Sequence, residues 1–258
     1  MSEVPGPVLF ARYAFPPNLH GYCGPDDHTT FFERAATGSD DPTLRHMSRQ
    51  FDGAWPYLSL IAETHGVDDP LDPRVVAAYW VGSSLLDQFS TSEGRAAMHA
   101  RFGGMVGTPL CALTEPALAR SIPHHSFAVL CIYPWTAVLH EEGARAAMAL
   151  QVLDRCRIRT GTVVEVSGDS VRAESSPLTW DGTRLALGPV ETETVVTGQD
   201  GVSLLGELRA GDHVALHWEW VCGRLSREER DDLERYSAHQ LEVVNEDVLP
   251  ALRPASAR

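Results

Sequence analysis

The feature that most restricts what this chain can fold into is a change of hydrophobic period near residue 156. Before it, apolar residues recur at helical spacing. Val76, Tyr79, Trp80 and Leu86 follow Asp72-Pro73, where Asp suits an N-cap and Pro the first helical turn. After it the pattern alternates in twos. Thr162-Val163-Val164-Glu165-Val166 runs into Ser167-Gly168-Asp169-Ser170 and on to Val171-Arg172-Ala173-Glu174, which is a hairpin signal. Trp180-Asp181-Gly182-Thr183 is a second turn, Glu193-Thr194-Val195-Val196 a further strand, and Arg209-Ala210-Gly211-Asp212 a tight turn before His213-Val214-Ala215-Leu216-His217-Trp218. Short strands so closely spaced predict a small closed barrel. Helix returns at Ser226-Arg227-Glu228-Glu229, a capping box, with the stripe Leu233, Tyr236, Leu241, Val244 and Val248 behind it as a packing face.

The fold class expected is therefore α+β: a mainly helical N-terminal part over 1–153, then a small OB-like β-barrel with a C-terminal helix over 154–250. A frayed tail is expected over 251–258. Within the first part, residues 1–42 read as a loop-rich lead-in because Pro, Gly and Asp are frequent there. Helical stretches are expected over 43–64, with Pro56 interrupting, after Thr114-Glu115-Pro116, and over 141–154.

Bulk properties exclude several function classes. The net charge of −14 is scattered without a basic run, which speaks against nucleic acid because phosphates need cationic neutralisation. No stretch approaches the ~20 apolar residues of a membrane span, and the start, Met-Ser-Glu-Val-Pro-Gly, has no basic and apolar leader, so a cytoplasmic location is expected. The five cysteines, Cys23, Cys111, Cys131, Cys156 and Cys222, are odd in number with no CxxC spacing, which reads as free thiols rather than a disulfide framework. No nucleotide or flavin motif is present.

The second part carries the more specific pattern. Residues 156–166 read Cys-Arg-Ile-Arg-Thr-Gly-Thr-Val-Val-Glu-Val and continue Ser-Gly-Asp; Arg-Ala-Gly-Asp-His-Val-Ala-Leu-His follows at 209–217. The ordered set Cys156, Gly161, Val163, Glu165, Val166, Gly168 and Asp169, then Ala210, Gly211, Asp212, Val214, Leu216 and His217, resembles the small [NiFe]-hydrogenase assembly chaperones (the HypC/HupF family). The resemblance covers about residues 154–247. The family's cysteine follows the initiator Met, whereas Cys156 is internal, and the link between the two blocks is longer here. It implies a hydrogenase maturation accessory protein carrying iron as an Fe(CN)2(CO) fragment, with Cys156 as iron ligand and His217 as a second ligand or proton partner. The implied partners are a hydrogenase large subunit or other maturation proteins. A soft thiolate and an imidazole are chemically suited to such iron. From the residues themselves, Arg155, Arg157 and Arg159 are candidates to favour the thiolate and hold cyanide nitrogens.

The first part offers a second constellation. His20-Gly-Tyr-Cys23-Gly-Pro-Asp26-Asp27-His28 places a thiol between glycines, open to close approach. Cys23 is the candidate nucleophile or iron ligand of an alternative, enzymatic reading, in which the protein makes or handles a diatomic ligand such as CO. His124-His125 precede an apolar run; neighbours on a strand point to opposite faces, so one of the pair is expected to cap or pack. Cys23, His124 and Asp26 are the first-part residues whose meeting in space would build a metal site. Trp218, Trp220 and Cys222 read as packing, as do Cys111 and Cys131. A plain OB-like module without metal completes the possibilities.

Overall fold

The structure is a computed structural model describing residues 4–108 and 111–252; the expected frayed tail lies outside the described residues from 253 onward. Among the described residues ten α-helices precede the strands, with short 3-10 turns over Ser84–Ser90 and Gly103–Met105: α1 (Gly6–Leu19), α2 (His28–Ala36), α3 (Pro42–Ser48), α4 (Trp55–Thr64), α5 (Pro73–Trp80), α6 (Ser92–Phe102), α7 (Glu115–Arg120), α8 (His125–Phe127, continuing in a π turn over Ala128–Ile132), α9 (Trp135–Val138) and α10 (Ala144–Cys156). Their starts obey local chemistry: the side chains of Asp72 and Thr114 cap α5 and α7, as their positions in the sequence predict. Pro56 does not interrupt a helix; it sits in the first turn of α4, where its missing N–H is harmless.

The lead-in over 1–42 differs from expectation, since it holds α1 and α2. Pro7 occupies the first turn of α1, while Pro16 and Pro17 lie within its C-terminal end. Between them Val8, Phe10, Ala11, Tyr13, Ala14 and Phe15 are all buried. A helix apolar around most of its circumference has no polar face to show in a sequence pattern and belongs at the centre of the core.

The strands are β1 (Arg159–Ser167), β2 (Ser170–Ser175), β3 (Leu178–Trp180), β4 (Leu185–Leu187), β5 (Glu191–Val196), β6 (Gly198–Gln199), β7 (Val202–Ser203), β8 (His213–His217) and β9 (Trp220–Leu225). Five of them form one mixed sheet in the order β1-β2-β5-β9-β8, and β8 pairs back to β1. The contact between β5 and β9 is parallel, through Val196 and Trp220; the other pairings are antiparallel. Val163, Val171, Ala173, Val195, Val214, Leu216 and Val221 fill the sheet's concave side. The fold is thus α+β as the change of period predicts. The long link between the two sequence blocks is accounted for by the extra hairpins β3–β4 and β6–β7.

After β9, α11 (Arg227–Val243) opens with the expected capping box at Ser226 and Glu229. Its apolar stripe does more than cover the sheet. Leu233, Tyr236, Val243 and Val244 join the same core as Phe10, Leu58, Tyr79 and Phe127. The Tyr236 hydroxyl donates to the Ser83 carbonyl at 2.7 Å, and Gly82, with φ +102°, leaves room for the Tyr236 ring. Asn245 reaches the other way, accepting from the Leu185 amide and donating to its carbonyl. The boundary expected at 153/154 therefore falls inside the last turn of α10, with the core continuous across it. Among the described residues no helix is long and apolar enough to cross a membrane.

A shared core predicts shared unfolding. The chain is expected to melt in one cooperative transition, with calorimetric and van't Hoff enthalpies agreeing. Leu233→Ala, at a site 1% exposed, should cost roughly 2–5 kcal/mol and move that transition as a whole; two separable transitions would show independent domains.

Candidate functional site

Two remote positions meet at the junction of the helical part and the sheet. Cys156 is the last residue of α10, while His217 ends β8. A hairpin turn, Trp218-Glu219, follows at once, with Trp218 in the left-handed region at φ +53°, a conformation that non-glycine residues seldom adopt outside sites that hold them there. The Trp218 amide donates to the Arg155 carbonyl at 2.7 Å, which ties the turn to the end of α10. The third member is His125, the first residue of α8. A ring nitrogen of His125, the Cys156 sulfur and a ring nitrogen of His217 all lie within 4.8 Å of one another.

Each imidazole is held by a defined partner. His217 Nδ1–H donates to the Tyr13 carbonyl at 2.6 Å, leaving Nε2 unprotonated. That Nε2 is buried and finds no partner of hydrogen-bond geometry; the Cys156 carbonyl, which also faces His217, is taken by His125 Nε2–H at 2.8 Å. His125 Nδ1 accepts from the Tyr79 hydroxyl at 3.0 Å. Burial holds both rings neutral: it depresses His125 to about 4, and it pushes His217 well below the usual histidine range, with the nearby His125 adding to the effect. Burial raises the Cys156 thiol well above its ordinary value, and Cys23 pushes it further in the same direction.

These groups open into a cavity of about 270 Å³ whose lining includes Cys23, Tyr79, Trp80, Tyr133, Trp135 and Trp218 beside the three. The Trp80 ring lies 4.5 Å from that of His125 and 5.7 Å from that of His217. Cys23 enters from the loop after α1. Asn18 donates to the carbonyls of Cys23 and Pro25, and Gly24, at φ +86°, takes a position where a Cβ would overlap the Phe51 ring. The loop is pinned over the hairpin turn by Tyr22 stacked on Trp218 at 4.7 Å and by His20 paired with Glu219 at 2.6 Å. Burial pushes the Cys23 thiol up to about 12.

The structure thus brings together Cys156, His217 and Cys23 of the residues singled out in sequence, and leaves His124 out. His124 is the N-cap of α8, its Nδ1 against the Ser126 hydroxyl at 2.6 Å, and it does not line the cavity. The neighbouring His125 takes the position instead, because the chain turns into a helix there rather than running on as a strand. Asp27 caps α2 through the Thr30 amide, and Asp26 lies in a surface hollow beside the loop. Trp218 is a cavity wall, while Trp220 packs on Phe15 and Phe32 and Cys222 is buried. The three arginines around Cys156 do not reach the cavity. Arg155 pairs with Glu193, Arg157 with Asp154 and the Ser176 carbonyl, and Arg159, 2% exposed, with the Trp218 carbonyl, Glu193 and Asp154. The sequence flags the pair His124-His125 without telling which of them enters the site, and no sequence signal marks Trp80; their adjacency is created by packing.

Which groups could hold a metal follows from the donors. Cys156 and His217 offer a soft sulfur and a nitrogen lone pair without a competing partner, and the Nδ1–H bond to Tyr13 is the outer-shell contact that commonly fixes a ligating imidazole. His125 can join only by giving up one of its two hydrogen bonds. Neutral imidazoles compete little with protons for an ion, whereas the thiol must lose one.

The chain belongs to the family described as a family of unknown function (DUF6390), which matches residues 2–251. The match spans the helical part and the sheet together. No curated protein and no solved structure matches the chain.

Burial of neutral histidines also fixes the acid response. Burial, with the nearby His125 contributing, lowers His124 to about 3, so His124 and His125 both titrate far below the ~6.5 of an unfolded chain. Below that value the unfolded state takes up protons that the folded state refuses. The contribution of these two is therefore complete above about pH 6.5 and is lost as pH falls towards their folded values, a few kcal/mol each and larger for His124. Urea midpoints measured from about pH 7.5 down to about pH 4.5 should fall steadily, and less steeply in His124→Asn, which keeps an N-cap acceptor; an unchanged slope would mean that His124 protonates in the folded state.

Proposed function

We propose that this protein is a [NiFe]-hydrogenase maturation accessory protein that binds an iron-ligand fragment between Cys156 and His217. The observation that carries the reading is the convergence of that sulfur and an imidazole nitrogen, from opposite ends of the resemblance to the HypC/HupF chaperones, on one cavity. Two further points support it. Counting only the strands of the five-stranded sheet, the order is first, second, third, fifth, fourth, returning to the first, which is compatible with the five-stranded OB-like barrel expected from the sequence. The unpaired His217 Nε2 is the atom such a fragment requires.

The fragment is cargo. Cys156 supplies a thiolate after losing its proton, His217 supplies Nε2, and the aromatic walls exclude water so that a fragment carrying CO and cyanide is shielded. His125 orients the end of α10 through the Cys156 carbonyl. Delivery is to a hydrogenase large subunit, or exchange with other maturation proteins, in the cytoplasm. The helical part forms the roof of the cavity, and one family covers both parts.

A second reading keeps an enzymatic role for Cys23, possible because Cys23 lines the same cavity. A thiol raised to about 12 by burial needs an ion or a base brought in with substrate before it can act as a nucleophile.

Anaerobic co-expression with hydrogenase maturation proteins, followed by iron analysis and infrared spectroscopy, separates the two. The expected outcome is iron with CO and cyanide stretching bands in the wild type, lost in Cys156→Ala and reduced in His217→Ala, and retained in Cys23→Ala. Bands lost only in Cys23→Ala would move the chemistry to the loop. A simpler check uses Zn²⁺ at neutral pH. Binding should release about one proton per ion, because the thiol starts protonated and the imidazoles neutral; Cys156→Ser should weaken binding by roughly two orders of magnitude or more.

A further inference from the structure

A second opening lies away from the thiols. A cleft of about 580 Å³ is bordered by α1, by α5 and the segment after it, by β9 and by the start of α11, and it shares no lining residue with the Cys156 cavity. Arg12 of α1 lines this cleft. The residue is half-buried, and its guanidinium makes no hydrogen bond or ion pair among the described residues. Burial lowers its pKa, opposed only by Tyr13 and Cys222 and by no carboxylate. Every other described arginine that is not exposed pairs with an acid, from Arg45 with Asp40 and Asp69 to Arg230 with Asp231. Want of acids is not the reason, since the chain carries 35 acidic residues against 21 basic ones. A cation drawn out of water without a counter-charge is costly, so this one suits an anion that comes from outside.

The guanidinium is within reach of such an anion. Its Nε is sealed off without a partner, whereas Nη1 and Nη2 are neither paired nor sealed. The Tyr13 hydroxyl is in the same condition, unpaired but not sealed, and burial raises its pKa so that it stays a donor. Gly223 of β9 makes room for it, because a Cβ there would stand 2.7 Å from the hydroxyl oxygen; a glycine inside a strand often marks such a close approach.

The rest of the lining sets the class of ligand. Arg74 and Arg224 also border the cleft but pair with Asp72 and Asp212. Glu228, Glu229 and Asp232 border it too, which disfavours a multiply charged anion such as phosphate. One cation beside a neutral donor suits a single carboxylate, whose two oxygens the terminal nitrogens of an arginine can hold side by side. Leu9, Val81, Leu85 and Leu225 supply an apolar wall, and the volume is that of a small-molecule site.

We propose that this cleft binds a small apolar carboxylic acid, with its carboxylate on the Arg12 terminal nitrogens and the Tyr13 hydroxyl and its apolar body against Leu9, Val81, Leu85 and Leu225. The site is separate from the Cys156–His217 cavity and does not rest on the function proposed for it.

Isothermal titration calorimetry of the full chain at neutral pH tests this with butyrate, hexanoate and 4-phenylbutyrate, each set against its amide, and with inorganic phosphate. Expected is binding of the carboxylates that tightens with apolar length, to a Kd of about 1 mM or below for 4-phenylbutyrate. Each amide, and phosphate, should bind roughly tenfold or more weakly than 4-phenylbutyrate. Arg12→Met should weaken 4-phenylbutyrate roughly tenfold or more, as the loss of a charge-assisted pair predicts, and Tyr13→Phe by a few-fold. The proposal is overturned if 4-phenylbutyrate and its amide bind alike, if phosphate binds more tightly, if no carboxylate binds at about 10 mM, or if Arg12→Met binds as the wild type does. Should Arg12→Met not fold, the comparison of 4-phenylbutyrate with its amide on the wild-type chain decides.

Discussion

Asp154 is the group on which the site depends. It is buried in the last turn of α10, accepts from the Leu178 amide at 2.7 Å, and pairs with Arg157 at 2.9 Å and Arg159 at 3.6 Å. Glu193 of β5 completes the cluster from the other side through Arg155 and Arg159. Burial brings Arg159 down to about 10, still charged at neutral pH. Ions removed from water are tolerable only with partners in good geometry, and removing one partner strands the rest. The cluster therefore locks the end of α10, β1, β5 and the β8–β9 turn in one arrangement. Cys156 and the residue after His217 are both fixed to it, Cys156 by sequence and Trp218 by the Arg155 and Arg159 bonds.

That lock separates charge from chemistry. The arginines beside Cys156 are spent on the scaffold, so the cavity is lined by neutral imidazoles, thiols and aromatic rings. Its imidazoles stay neutral and its thiols stay protonated because burial disfavours their charged forms. The loop bearing Cys23 adds a second thiol and closes the cavity over the hairpin turn through the Tyr22–Trp218 stack. An apparently plain helical part thus contributes three of the elements that make the cavity: this loop, α5 with Tyr79 and Trp80, and α8 with His125.

Local signals proved readable where one or two residues decide the outcome. Asp72-Pro73, Thr114 and the Ser226–Glu229 box start helices where they stand, since a cap satisfies amides within a single turn. The hairpin around Gly168 forms as its alternation implies, with β1 and β2 paired from Gly161–Ser175 to Ser167–Ser170. By contrast, α1 was hidden among prolines, because its stability comes from burial of Phe10, Tyr13 and Phe15 rather than from propensity or an amphipathic face. His124 and His125 could not be told apart by alternation, since the segment turns helical at that point and the rule for strands does not apply.

Sequence alone determined the α+β order, the change of period near 156 and the terminal capping box, and through a resemblance it singled out Cys156 and His217 as candidates. The tertiary structure decided that they meet, that His125 rather than His124 joins them, that Cys23 lines the same cavity, and that the arginines beside Cys156 are drawn into ion pairs with Asp154 and Glu193. The physical reason is that ligand pairing and cavity formation depend on contacts between segments distant in the chain. Such contacts are set by which surfaces bury one another and which buried polar groups find partners, and neither is written in any local stretch of residues.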